Sequence, residues 1–339
     1  MNIKSVNIKN FTVFDDFELD LSLGINIIIG KNGTGKTHLL KGIYTVCDRI
    51  NYEAKYTTGY QNLISQLYFK VNPIDLVRDK SVKDKIIASV SATYSENSYS
   101  RYLIIKVGEN QLAEDGSMHK DVDFHINNIF IPATEILSHS KGFLALNNKY
   151  DMPFDKTYVD IITNAELPEA KDISEINKKI LEIISKVIDG EVVYENDNFY
   201  VVKNDGTKID FSIEAEGIRK FALLWKLIRN GLIDKEAILF WDEPEANINP
   251  ELMPILVDIL IELQRCGVQI FLATHSYNFA KYFEIKRDSN DKVLFHSLYK
   301  TEQGVKCQSE ENFGDLKNNS IIEADSKLLD EVIEGNFEE

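Results

Sequence analysis

Gly30-Lys31-Asn32-Gly33-Thr34-Gly35-Lys36-Thr37 follows the apolar run Ile25, Ile27, Ile28, Ile29 and precedes the helix-like stretch His38, Leu39, Leu40, Lys41. Two glycines framing four residues, then Lys and Thr, between a strand and a helix, is the spacing of a phosphate-binding loop. The glycines let successive N–H groups turn toward one polyanion, and the following helix N-terminus adds the positive end of its dipole. On this reading Gly30 through His38 form the cradle for a nucleoside triphosphate. Lys36 neutralises its β and γ oxygens, and Thr37 offers its hydroxyl to Mg²⁺, which prefers oxygen ligands.

Hydrolysis needs more than a cradle. Far downstream, Ala237, Ile238, Leu239, Phe240 and Trp241 form a continuous apolar run of the kind a strand buried on both faces requires. Asp242 and Glu243 follow at once. An Asp at such a strand end can serve Mg²⁺, and the next carboxylate can orient or deprotonate an attacking water. Val268 to Ala273 read as another buried strand, ending in Thr274, His275 and Ser276, and His275 there could reach a γ-phosphate. Parallel strands deliver their carboxyl ends to one crevice, where ligands of open α/β sheets bind.

With these motifs the chain resembles ABC-type ATPases of the structural-maintenance-of-chromosomes and RecF-like branch, and more narrowly the stand-alone bacterial AAA-family ATPases related to the OLD-family ATPase domain. The resemblance rests on the opening MNIKSVNIKNFTVFDDFELDL, the phosphate loop, DEPEANINP and the strand ending in ATHS. It implies an α/β P-loop NTPase fold, an ABC-ATPase head with a mostly parallel central sheet, an antiparallel β edge and a helical second lobe. ATP and Mg²⁺ are the implied ligands, with Thr37 and Asp242 serving the metal. Glu243 is then the hydrolytic carboxylate and His275 the switch histidine, while Glu245 to Pro250 resembles a dimer-facing loop.

The branch also carries a signature segment that completes the partner subunit's site. Its place here is Ala215-Glu216-Gly217-Ile218-Arg219-Lys220. Gly217 and Arg219 suit the pattern, while Ala215 stands where a serine would donate and Glu216 replaces a small residue. The same segment reads as an amphipathic helix with Phe221, Leu224, Trp225 and Ile228 toward the core. A glutamine loop is missing, and Thr134 or Glu135 are its positional substitutes. Phe11 and Phe14 are candidates for stacking on adenine.

A net charge of −16 over 339 residues repels polyanions, so a nucleic-acid partner is not indicated by charge. Two loose basic clusters, Arg219, Lys220, Lys226, Arg229 and Lys171, Lys178, Lys179, Lys186, read as solvated helix faces. Cys47, Cys266 and Cys307 have neither disulfide nor zinc spacing, which fits the cytoplasm. Met1 to Asp20 alternates and carries acids, unlike a secretory signal. The apolar stretch Leu252 to Leu263 is interrupted by Asp258 and falls short of the roughly 20 residues a bilayer span needs, so no membrane is expected.

The expected layout places a nucleotide-binding lobe over 1–135 and 236–307, with an insertion at 51–83. A helical signature lobe covers 136–235 and an acidic tail 308–339. Asn2 to Ile8 and Phe17 to Leu21 alternate and are expected as an antiparallel edge added to the parallel sheet. The expected function is an Mg²⁺-dependent ATPase whose subunits form a homodimer on binding ATP and regulate a separate protein effector, as in phage defence. The alternatives are a RecF-like DNA repair ATPase and, with an imperfect signature, a transporter's nucleotide-binding subunit. A built-in nuclease would need more than Asp288 and Asp291, which read as loop residues.

Overall fold

The structure is a computed structural model that describes residues 2–55, 66–68, 71–82, 86–94, 100–106, 127–150, 152 and 154–337. From the N-terminus, β1 (Ile3–Phe11), β2 (Phe14–Asp20) and β3 (Ile25–Gly30) lead into helix α1 (Lys36–Lys55), followed by β4 (Ile86–Tyr94), β5 (Ser100–Lys106) and β6 (Asn128–Ile131). Helices α2 (Phe143–Tyr150), α3 (Lys156–Glu166) and α4 (Glu175–Ile188) precede the short strands β7 (Gly190–Glu195), β8 (Asn198–Lys203) and β9 (Lys208–Asp210). Then come α5 (Glu216–Arg229), β10 (Ile238–Asp242), α6 (Met253–Arg265), β11 (Gln269–Thr274), α7 (Tyr277–Lys286), β12 (Val293–Thr301), β13 (Gly304–Glu310) and α8 (Ser320–Phe337). Part of the expected insertion at 51–83, including Tyr56 and Tyr60, lies outside the described residues.

The three buried runs become neighbours. Every residue of β3, β10 and β11 is buried, as strands covered on both faces must be. The central sheet runs β13-β12-β3-β11-β10-β6, with all neighbours parallel except the β12–β13 pair. Parallel strands need long crossovers, which helices supply.

Alternation sorts the two faces. Ile25, Ile27, Ile29, Leu239, Trp241, Ile270 and Leu272 face a core shared with α4, α5 and α6. Ile28, Ile238, Phe240, Phe271 and Ala273 face the opposite core, filled by α1 and the N-terminal strands. In that second core Phe240 stacks on Phe271 with centroids 4.9 Å apart and meets Tyr44 edge-on at 5.8 Å.

One expectation about the edge is corrected. β1 and β2 do not extend the parallel sheet; they form a separate antiparallel sheet of order β2-β1-β4-β5. The antiparallel strand of the central sheet is β13. Period-two alternation shows that a strand has one buried face, but not which strand it pairs with. The two sheets meet through Gln269 at the start of β11, which donates to the carbonyls of Ile3 (2.7 Å) and Ser22 (2.8 Å) and accepts from the Ile3 amide (2.7 Å). The boundary expected at 308 falls inside β13, and Phe313, Leu316 and Ile321 beyond it pack into the first core.

Between the lobes expected from the sequence, Lys41 of α1 makes a buried ion pair with Asp155, the residue that caps α3. Tyr44 of α1 donates to Asp160 of α3 at 2.8 Å. The phosphate-loop helix is therefore tied to the helical region as well as to its own sheet.

Phe240→Ala should cost about 3–5 kcal/mol of stability, because a ring is removed from a packed core that cannot close over the gap. Ile285, which is exposed, should tolerate Ala within about 0.5 kcal/mol. Urea unfolding of both variants checks the pair, and equal losses would contradict this placement of the core.

Candidate active site

The loop at 30–37 has the backbone its glycines promised. Gly33 (φ 74°) and Gly35 (φ 91°) occupy the left-handed region that L side chains rarely adopt. A β-carbon on Gly35 would also lie 2.4 Å from Val13 Cγ2, since the β1–β2 hairpin rests against the loop. Lys31, Asn32 and Gly33 are exposed at the rim. Thr34 is buried and donates to the Lys31 carbonyl at 2.8 Å.

Lys36 curls back over the loop, with Nζ 2.7 Å from the Gly30 carbonyl and 3.4 Å from that of Lys31. Burial lowers its pKa, opposed by the charges of Glu243, Asp242 and Glu245. His38 lies one residue beyond Thr37, with its ring edge-on to Tyr68 at 5.5 Å. Burial, and then Lys41, lower the His38 pKa, so its ring is neutral at physiological pH.

Strand order brings the distant acids to this loop. β10 is separated from β3 only by β11, and Asp242 ends β10 at the same sheet edge where β3 gives way to the loop. Thr37 Oγ1 donates to Asp242 Oδ2 at 2.7 Å across 205 positions of sequence. The second carboxylate oxygen, Oδ1, is buried with no hydrogen-bond partner among the described residues. Burial raises the Asp242 pKa, the Thr37 bond opposes this, and the charge on Glu243 adds to it.

An unsatisfied buried carboxylate oxygen beside a hydroxyl suits a hard cation. Mg²⁺ takes only one or two protein oxygens and completes its shell with phosphates and water. No cluster of three or more His, Cys, Asp or Glu side chains with metal-site geometry occurs among the described residues.

Glu243 and His275 also come together, with Glu243 Oε1 3.4 Å from His275 Nδ1. Both side chains reach solvent, so a water can approach them. Glu243 has φ 48°, a left-handed backbone uncommon outside glycine. Glu245 is buried and accepts from Thr274 Oγ1; burial raises its pKa.

The signature residues lie elsewhere. Gly217 is buried in the first turn of α5, and a β-carbon there would come within 2.9 Å of the Asn247 carbonyl. Arg219 turns inward, pairing with Glu135 at 3.1 Å and donating to the Phe211 carbonyl at 3.0 Å. Glu135 also accepts from the amides of Leu137 and Ser138, so its carboxylate is engaged internally. Phe11 and Phe14 are fully buried in the second core and offer no ring face to adenine.

The first basic cluster is not a solvated face. Lys220 and Lys226 are 2% and 4% exposed, and Arg229 pairs with Glu169. Lys220 donates to the carbonyls of Glu243 (3.0 Å) and Pro244 (3.5 Å). The missed signal was helical period: Gly217, Lys220, Phe221 and Leu224 share one stripe. Asp288 and Asp291 both bind Arg265 at 2.7 Å, which accounts for them without nuclease chemistry.

Residues 25–280 match the family described as "AAA domain, putative AbiEii toxin, Type IV TA system". The chain belongs to this family. It is a P-loop ATPase.

An ATP/GTP phosphatase of Helicobacter pylori is 21% identical over 334 residues, covering 82% of this chain and 86% of that protein. The DNA replication and repair protein RecF of Cytophaga hutchinsonii is 45% identical over 47 residues, only 14% of this chain and 12% of RecF. Among solved structures, an Smc head bound to the C-terminal winged-helix domain of ScpA superposes with a TM-score of 0.56 at 13% identity, covering 93% of this chain and 99% of that one. The SMC head domain from Thermotoga maritima gives 0.51 at 16% identity, covering 92% and 100%. These structural likenesses concern the fold. No helix among the described residues is long and apolar enough to cross a membrane.

Asp242 and Glu245 both hold protons more tightly folded than unfolded. Their contribution to stability is therefore greatest at low pH and is lost as pH rises from the ordinary carboxylate range through the raised folded values. Compared by urea unfolding with the double variant Asp242→Asn/Glu245→Gln, the wild type should gain relative stability as pH is lowered from neutral to mildly acidic. A difference independent of pH would contradict this electrostatic account.

Proposed function

We propose that this ATPase is an Mg²⁺-dependent hydrolase built on the loop at 30–38, Asp242, Glu243 and His275. The observation that carries this reading is the 2.7 Å Thr37–Asp242 bond, which joins the phosphate cradle to the acidic strand end. The loop amides and Lys36 bind the phosphates, and Lys36 exchanges its carbonyl acceptors for phosphate oxygens. Thr37 and Asp242 would hold the metal, which when bound would neutralise charge on the phosphate oxygens. Glu243 orients the attacking water and accepts its proton, and His275 contacts the γ-phosphate. The name of the Helicobacter relative supports triphosphate hydrolysis and leaves GTP as a competing substrate.

Two copies pair on ATP, each presenting the N-terminus of α5 to the other's nucleotide. Ala215 is the N-cap of α5 and makes no side-chain capping bond, so the first amides remain available to an anion. Ile213, two residues before it, is 77% exposed, an apolar side chain that pairing would cover. The paired state signals to a separate effector in defence against phage; the family description names a putative toxin of a toxin–antitoxin system and supports a toxin–antitoxin setting. The short RecF match favours a second reading, DNA binding. Burial of Lys220 and Lys226 weakens it by removing half of the basic cluster nearest the site.

Lys36→Ala should raise the Kd for ATP by about tenfold or more, measured by calorimetry, since a charge-assisted phosphate contact is lost. Glu243→Gln should keep ATP affinity while kcat falls by about a hundredfold or more, and unchanged turnover would remove the hydrolytic role. With ATP and Mg²⁺, light scattering should show Glu243→Gln as a dimer and Ile213→Asp as a monomer. A monomer in both cases would remove the pairing model.

A further inference from the structure

The start of α5, Glu216 to Lys220, and the segment from Glu243 to Ile248 are joined by three hydrogen bonds and one close backbone approach. Lys220 Nζ donates to the carbonyls of Glu243 at 3.0 Å and Pro244 at 3.5 Å. Asn247 Nδ2 donates to Glu216 Oε1 at 2.9 Å. The absent side chain of Gly217 lets the helix approach the Asn247 and Ile248 backbone, where a β-carbon would sit 2.9 and 3.3 Å from their atoms.

Glu243 lies at the end of this seam in a left-handed conformation. Such a backbone persists in a residue with a β-carbon only where its surroundings hold it. Here the Glu243 amide donates to the Ala273 carbonyl at 2.8 Å, and its own carbonyl accepts from the Ala246 amide at 3.1 Å and from Lys220. Relaxation of Glu243 to an ordinary backbone would swing that carbonyl away. A buried ammonium would then lose its nearest acceptor, which is costly.

We propose that Lys220 is a positioning residue for hydrolysis: it fixes the Glu243 backbone so that its carboxylate stays beside His275, and it links movement of the α5 N-terminus to that carboxylate. This rests on Glu243 being the hydrolytic carboxylate. Lys220 touches the chemistry only through backbone oxygens, so it contributes to turnover and not to nucleotide affinity. Its charge is balanced by the surrounding carboxylates of Glu245, Glu216, Glu243 and Glu135. The neighbouring Arg219, which the sequence pattern favours, points instead to Glu135 and Phe211.

The test is steady-state ATP hydrolysis and ATP calorimetry on full-length Lys220→Met, Lys220→Arg, Lys226→Met and Glu243→Gln. Lys220→Met should lower kcat by about tenfold or more while KM and Kd for ATP change by less than about threefold. Lys220→Arg, which keeps a buried cation with donors, should recover a large part of that loss. Lys226→Met removes another buried lysine of the same helix, away from Glu243, and should lower the melting temperature without lowering kcat.

An unchanged kcat in Lys220→Met, or an equal fall in Lys226→Met, would overturn the proposal. Should Lys220→Met fail to fold, Lys220→Gln replaces it, and full turnover there overturns the proposal equally. Full turnover in Glu243→Gln would remove the underlying reading whatever Lys220→Met does. An inactive Glu243→Gln beside a fully active Lys220→Met removes only the role of Lys220.

Discussion

A single hydrogen bond, from the Thr37 hydroxyl to the Asp242 carboxylate, joins the two halves of this site. It exists because β3 and β10 are next-but-one neighbours in a parallel sheet, with β11 between them. Adjacent strands lie about 4.8 Å apart, so two steps span a distance that the first turn of α1 can bridge. The buried runs at 25–29, 238–241 and 269–273 therefore do more than fill a core. By being buried on both faces they force the parallel stacking that sets the loop, the acids and His275 along one edge.

That edge is electrostatically expensive. Asp242 and Glu245 are buried carboxyls with raised pKa values, and Lys36 and Lys220 are buried ammonium groups whose pKa values burial lowers. Only part of this charge is satisfied by direct bonds, and Asp242 Oδ1 has no hydrogen-bond partner among the described residues. A folded protein tolerates such groups where function requires them, because a phosphate and a cation can satisfy them on binding. The left-handed backbone of Glu243 belongs to the same pattern of local strain held by neighbours.

The phosphate loop, the Asp242–Glu243 pair and His275 were legible in the sequence because each is a short pattern attached to a buried strand. The fold class came with the family resemblance that these motifs carry. The partner of β1 and β2 was not legible, since alternation identifies a buried face and pairing is decided by distant strands such as β4. Charge was misleading in α5. Lys220 and Arg219 looked like members of a solvated cluster, whereas one is buried against the Glu243 carbonyl and the other half-buried on Glu135. Helical period would have placed Lys220 on the core side beside Phe221. Nothing in the local sequence announced the carbonyls waiting there.

Calorimetric titration of ATP with and without Mg²⁺, into wild type and Asp242→Ala, tests the central claim most directly. If the loop and the strand end hold one metal-bound triphosphate, Mg²⁺ tightens ATP binding in the wild type and has little effect in the variant. A variant that keeps the full Mg²⁺ effect would show that Asp242 and the phosphate loop do not share the metal.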